Sequence, residues 1–204
     1  MAGRIITVRH GRPDLARDKR ITARDYGDWW AAYDRSGLAP DQGPSACLQD
    51  IANDAATILS STLPRAIETA AQLTGGARHV PADALYVEAP LPPPPVPTIR
   101  LKPGTWGVIS RTYWFFGYAP DGIENHGQAW ERVARICDGL AEISADGDVV
   151  LCAHGYLNWM IDRHSRKVGW RRTKSYGVNH YWSYRVYELD HEQNGVAAQS
   201  LAAQ

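Results

Sequence analysis

The sequence predicts a three-layer α/β/α sandwich around a mostly parallel central sheet. Three observations predict it. Residues 4–8, 57–60 and 148–153 form short, nearly continuous apolar runs, the pattern of strands buried on both faces. Segments of helical period separate them, the clearest carrying Ala129, Val133, Ile136, Cys137, Leu140 and Ile143. Each run also ends in polar groups: Arg9-His10-Gly11, Ser60-Ser61 and His154-Gly155. Strands alternating with helices make parallel sheets covered on both faces. In such sheets ligands sit beyond the carboxyl ends of the strands.

The remaining elements follow in order. Residues 26–59 read as mostly helical before the second strand, with Trp29, Trp30, Tyr33 and Leu38 as covering groups. Pro64 suits the first turn of a helix. That helix carries Ala66, Ile67, Ala70 and Leu73 on one face and stops near Gly75-Gly76. Tyr86-Val87 reads as a short strand ending at Glu88. Residues 89–103 are too dense in proline for regular helix or central strand. Residues 156–163 read as a helix, and 181–189 as a final strand, antiparallel at an edge. With no repeat and no linker, residues 1–204 are expected to form one domain, with cap or insert segments near 12–45 and 89–123.

Composition narrows the function classes. The 22 basic and 22 acidic residues balance, so net charge predicts no nucleic-acid partner. No apolar run reaches the length of a membrane span. No charged-then-apolar leader precedes the first strand. Cys47, Cys137 and Cys152 are scattered and form no C-x-x-C pair, against a disulfide framework or structural zinc. A cytoplasmic location is the expectation.

Two histidines and two arginines meeting at strand ends would make a phosphate pocket containing a nucleophile. A phosphomonoester needs cations on its nonbridging oxygens, an in-line nucleophile, and an acid for the poor leaving alkoxide. Arginine pairs with phosphate at two points and stays charged. A neutral imidazole keeps one free lone pair. A carboxylic acid of raised pKa protonates the leaving oxygen. Arg9, Arg65, His10, His154 and Glu88 supply this set.

Arg9-His10-Gly11, Ser61-x-x-x-Arg65-Ala66 with Thr69-Ala70, and Ala153-His154-Gly155 resemble, in order and spacing, the histidine phosphatase superfamily. The resemblance spans roughly residues 4–190 and implies the phosphoglycerate mutase-like fold. It implies that His10 is the nucleophile and carries a phosphohistidine, and that Arg9 and Arg65 clamp the phosphoryl group. His154 would donate to that group, and Glu88 would protonate the leaving oxygen and then activate water. No metal or other cofactor is implied. Ser61 is a candidate for capping the following helix or for phosphate contact. The substrate class is a phosphorylated small molecule.

The chain also departs from the family pattern. The triplet continues Arg12-Pro13-Asp14 where relatives carry Glu or Gln, and Ala16 stands where they usually have Asn. Arg12 is the candidate to replace the missing phosphate contact. Proline follows Glu88 where glycine and a second acid are common, so Asp14 stays open as an alternative proton donor. Glu124 reads first as N-terminal charge on the helix that follows. These departures favour a hydrolase over a phosphomutase, and leave a non-catalytic phosphate-binding protein as the alternative.

Residues 163–185 gather Arg163, Arg166, Lys167, Arg171, Arg172, Lys174 and Arg185 among aromatics with no acidic residue. The first reading is a solvated basic face. Single-strand nucleic acid binding is the less favoured one. Trp29, Trp30, Tyr33, Trp106, Tyr113, Trp114, Phe115 and Phe116 are candidates for an aromatic cap over the pocket.

Overall fold

The computed structural model describes residues 3–96, 99–178 and 180–190. Six strands form one sheet in the order β3-β2-β4-β1-β6-β5. β1 (Ile5–Arg9), β4 (Val149–Ala153) and β2 (Thr57–Ser61) lie parallel side by side. Their common register puts Arg9, Ser61 and Ala153 at the same edge of the sheet, so His10 and His154 leave it together. β3 is the two-residue Ala82–Asp83, parallel to β2.

Alternation along the strands makes the three layers. Ile5, Leu59, Val149, Leu151 and Ala153 face α5 (His126–Ile143) and α6 (Gly155–Ser165). Their neighbours Ile6, Val8, Ile58, Val150 and Cys152 face the opposite way, onto α2 (Ala46–Asp54) and α3 (Pro64–Leu73). A strand buried on both sides has no polar face to show, which is why these runs read as continuously apolar. Pro64 takes the first position of α3, and Gly75 and Gly76 end it at φ 57° and 72°.

The predicted inserts bring two more helices. α1 (Ala23–Arg35) starts on a capping box between Thr22 and Asp25. α4 (Pro103–Phe115) starts on Pro103. They meet through Ala23, Tyr26 and Trp106, a small apolar cluster of their own.

Two expectations are corrected. Tyr86-Val87 is no strand: residues 84–86 form a 3-10 turn. The Asp83 carboxylate accepts the Leu85 N–H, and Arg132 takes the carbonyls of Leu85 and Val87, so these groups are not available to a ladder. The last strand is β6 (Tyr184–Leu189), and it does not lie at the edge. β5 (Trp170–Tyr176) pairs outside it. All of β5 beyond Trp170 is exposed, so its basic sequence carries no alternation for a reader to find. Among the described residues no helix is long and apolar enough to cross a membrane.

Candidate active site

A cleft of about 490 Å³ opens over the carboxyl ends of β1, β2 and β4. Arg9, His10, Arg65, Glu88 and Gly155 line it, together with Arg17, Arg111 and a wall of apolar residues. Four arginines face one carboxylate, so the cleft suits an anion.

His10 sits at the end of β1, its backbone N–H donating to the Ala153 carbonyl at 3.0 Å. Its Nδ1 lies 2.7 Å from the carbonyl oxygen of Gly11. A carbonyl only accepts, so Nδ1 carries the proton and Nε2 keeps a lone pair. The imidazole is buried, and that burial with the Arg65 and Arg9 charges holds its pKa well below the usual value. It is therefore neutral at pH 7, with the free nitrogen turned to Arg65, whose Nε–H donates to Nε2 at 3.2 Å.

Arg65 is fully buried in the first turn of α3. Besides His10 it donates to the Tyr33 carbonyl at 2.9 Å and pairs with Asp34 at 3.0 Å. The Tyr33 ring covers its guanidinium at 4.4 Å. One turn later the Thr69 hydroxyl accepts the Gly11 N–H and donates to the Arg65 carbonyl. Thr69 thus ties α3 to the loop after β1, a physical reason for a Thr four residues beyond the Arg.

His154 is fully buried as the N-cap of α6. Its ring centroid stands 5.2 Å from that of His10, and its Nε2 lies 2.8 Å from Ser61 Oγ. Burial, then His10 and the arginines, push its pKa well down. Ser61 also accepts the Leu63 N–H at 3.3 Å, bridging β2, α3 and His154. Arg9 lies under the Tyr181 ring, 4.7 Å from its centroid. A Cβ at Gly155 would stand 3.1 Å from Arg9 Nε, so any larger residue there would ask the Arg9 side chain to shift by a few tenths of an ångström.

Glu88 is fixed from three directions. Its carboxylate accepts the N–H groups of Tyr156 and Leu157 at 3.0 and 2.8 Å, at the positive end of α6. Arg132 holds the carbonyls of Leu85 and Val87 just before it. Arg111 holds those of Ala89 and Pro90 just after it. Arg132 is itself forked onto Glu124 at 2.7 and 2.8 Å, so Glu124 acts through this pair rather than as loose helix-end charge.

The structure does not bring Arg12 or Asp14 into the cleft. Both are exposed; the Arg12 N–H goes to Gln42 and the Asp14 N–H to Gly37. The expected aromatic cap splits. Trp29, Trp30 and Tyr33 line the cleft, whereas Trp106 and Trp114 are fully buried, their indole N–H groups donating to the Ile21 and Glu124 carbonyls. Tyr113, Phe115 and Phe116 do not line it. The basic residues of β5 lie outside it as well.

Sequence reading missed Arg17, Arg111, Tyr156 and Trp159. Arg17 donates to the Tyr181 hydroxyl and lies 5.6 Å from the Tyr33 ring centroid. The signal for Arg111 was present: Gly104, Gly107, Val108 and Arg111 recur at helical spacing along one face of α4. Among the described residues no group of three or more His, Cys, Asp or Glu is placed to hold a metal ion.

Known proteins share this fold. The model of the histidine phosphatase superfamily (branch 1) matches residues 108–201, a stretch that includes His154. A solved structure described as mycobacterial hydrolase 2 superposes with a TM-score of 0.59 at 20% identity, over 97% of each chain. Mycobacterial glucosyl-3-phosphoglycerate phosphatase gives 0.53 at 20% identity, over 93% of this chain and 98% of that one. A mutant phosphoserine phosphatase from Entamoeba histolytica, in complex with phosphoserine, gives 0.50 at 16% identity, over 81% and 80%. No curated protein matches in sequence. The chain has the histidine phosphatase fold, and the resemblance read from its three motifs is borne out.

Proposed function

We propose that this chain is a metal-independent phosphatase that hydrolyses a small phosphomonoester through a phosphohistidine on His10. The observation that carries this reading is the 2.7 Å contact between His10 Nδ1 and the Gly11 carbonyl, which leaves the Nε2 lone pair among the arginines of the cleft. Arg9, Arg17 and Arg65 receive the nonbridging oxygens. The Nε2 lone pair forms a bond to phosphorus as the bond to the ester oxygen breaks. That oxygen takes the proton of Glu88 and leaves as a neutral alcohol. In the second half, Glu88 accepts a proton from water as the water oxygen bonds to phosphorus. The phosphorus–nitrogen bond breaks, its electrons return to Nε2, and inorganic phosphate leaves. His154 and Ser61 do not line the cleft; His154, bonded to Ser61 and with its ring 5.2 Å from that of His10, supports the nucleophile's ring. The helices within residues 12–45 and 89–123 close the cleft as its cap.

The test is hydrolysis of p-nitrophenyl phosphate from pH 5 to 8 with EDTA present, native chain against His10→Ala. Turnover in the native chain and none in the variant supports the proposal. Equal turnover in both overturns it. Phosphate binding without turnover in the native chain would instead favour a non-catalytic binding protein of the same fold.

A further inference from the structure

We propose that the alcohol released by this site is bulky, planar and apolar, an aryl or aryl-alkyl alcohol, rather than a polyol or a hydroxy acid; this rests on the phosphatase reading above. Apart from Arg111, the charged groups of the cleft stand away from its apolar groups. Arg9, His10, Arg17, Arg65 and Glu88 gather at the strand ends, so the rest of the lining must receive the leaving group.

That remainder is aromatic on two sides. Trp29 and Trp30 of α1 stack on Tyr33 at 5.3 and 5.1 Å between ring centroids. Tyr156 and Trp159 of α6 stack on each other at 5.1 Å. All but the buried Tyr33 are only half-buried, unlike the core indoles Trp106 and Trp114, so packing alone leaves ring surface facing the cleft. The third wall is the face of α4 that carries Gly104 and Gly107. A Cβ at Gly104 would meet nothing within 4 Å, and one at Gly107 would make only ordinary contact, 3.5 Å from the Tyr26 hydroxyl. Two glycines on one face of a helix cost helix stability. Here they leave room for a ligand.

The outer cleft also offers a polyol few polar partners for the ring surface it presents. Several of its polar groups are already bonded within the protein. Arg111 donates to the Ala89 and Pro90 carbonyls while Tyr156 covers its face at 3.9 Å. The Thr112 hydroxyl donates to the Val108 carbonyl at 2.9 Å, and the Trp29 indole N–H to the Ala16 carbonyl at 3.1 Å. No Asp, Asn, Gln, Ser or Lys is among the lining residues. A sugar ring entering here would set most of its hydroxyls against ring faces that cannot replace their water. A flat apolar group loses nothing and stacks on the rings.

The experiment compares 2-(1-naphthyl)ethyl phosphate with ethyl phosphate and 3-phosphoglycerate. The first two release primary alkoxides of similar basicity, so their ratio of kcat/KM reports recognition of the carbon frame. We expect the naphthyl ester to be favoured about 100-fold over both. Gly107→Leu, which raises helix propensity while filling the cleft, should cut that preference at least about tenfold. A naphthyl-to-ethyl ratio within about threefold, with all esters hydrolysed, overturns the inference and leaves the phosphatase reading intact. If the native chain hydrolyses none of them, that reading fails separately. Quenching of tryptophan fluorescence by 2-(1-naphthyl)ethanol, against glycerol, then decides the inference: binding of the aryl alcohol alone supports it, and no binding overturns it.

Discussion

Arg65 donates its Nε–H to His10 Nε2 at 3.2 Å, the nitrogen that the proposed reaction attaches to phosphorus. One side chain therefore does two things in sequence. Before substrate enters, it orients the nucleophile's lone pair and helps keep the ring neutral. In the proposed reaction the Nε–H leaves Nε2 as that lone pair turns to phosphorus, and the guanidinium N–H groups would then face the phosphoryl oxygens. Bonds to Tyr33 and Asp34 hold the guanidinium plane while this happens.

Arg65→Lys should therefore cost more than a charge-conserving change suggests. Lysine keeps the charge but loses the planar fork that reaches His10, Tyr33 and Asp34 together. Loss of one or two charge-assisted bonds, at about 1.5–3 kcal/mol each, corresponds to a fall of roughly 10- to 10⁴-fold in kcat/KM. Steady-state kinetics on p-nitrophenyl phosphate measure it. Native-like kinetics would show that the fork is not used.

Glu88→Gln separates the acid from its scaffold. The amide oxygen can still accept one of the N–H groups of Tyr156 and Leu157, so the loop stays in place, but no proton can be given or taken. General acid–base catalysis contributes typically about 10²–10⁴-fold. The loss should be smaller for p-nitrophenyl phosphate than for an alkyl phosphate in the first step, because nitrophenolate needs no proton to leave. Phosphohistidine, trapped by an alkaline quench because its phosphorus–nitrogen bond is acid-labile, should accumulate, since water activation is lost too. An equal loss on both esters, with no trapped intermediate, would remove Glu88 from this role.

The Arg132–Glu124 fork makes a positioning prediction. Arg132→Lys keeps a positive charge beside Glu124 but cannot hold both the fork and the two carbonyls before Glu88. Stability should fall by about 1–3 kcal/mol, as expected when partly buried acceptors lose a partner. A purely structural role would end there. A role in placing Glu88 adds a second signature: kcat for alkyl phosphates falls more than kcat for p-nitrophenyl phosphate, as in Glu88→Gln. A uniform loss across both esters would leave the fork structural only.

Legibility in the sequence follows from which forces act locally. His10, Arg65 and His154 were legible because strand ends and short motifs bring them to one edge of a sheet, and continuous apolar runs announce such strands; Glu88 was reached through the family resemblance, since the strand expected before it is a 3-10 turn. Arg12 and Asp14 share the sequence neighbourhood of His10 but not the cleft, because the chain turns there to bond Gln42 and Gly37. Sequence distance is a poor guide just beyond a strand. Arg17 and Trp159 were not legible as site residues: Arg17 sits in the irregular segment before α1, and the face of α6 that carries Trp159 is chosen by packing. β5 escaped for the opposite reason. An exposed edge strand held by backbone pairing to β6 needs no apolar pattern.

The two buried histidines make stability depend on pH. Burial, with the neighbouring arginines, holds His10 and His154 well below the usual pKa in the folded chain. In the unfolded chain both return to about 6.5. Between the folded value and 6.5 the unfolded state binds more protons, so stability rises with pH across that window. It is fully present above about pH 6.5 and is lost progressively as pH falls below it, by up to about 1.4 kcal/mol per pH unit for each histidine. Urea midpoints measured from pH 7.5 to 5.0 should drop over the lower half of the range. The same series on His10→Asn with His154→Asn should be distinctly flatter, because no imidazole there has to be kept neutral. Equal slopes in the two proteins would assign the acid sensitivity to other groups, and would mean that the pair carries its charge in the folded state.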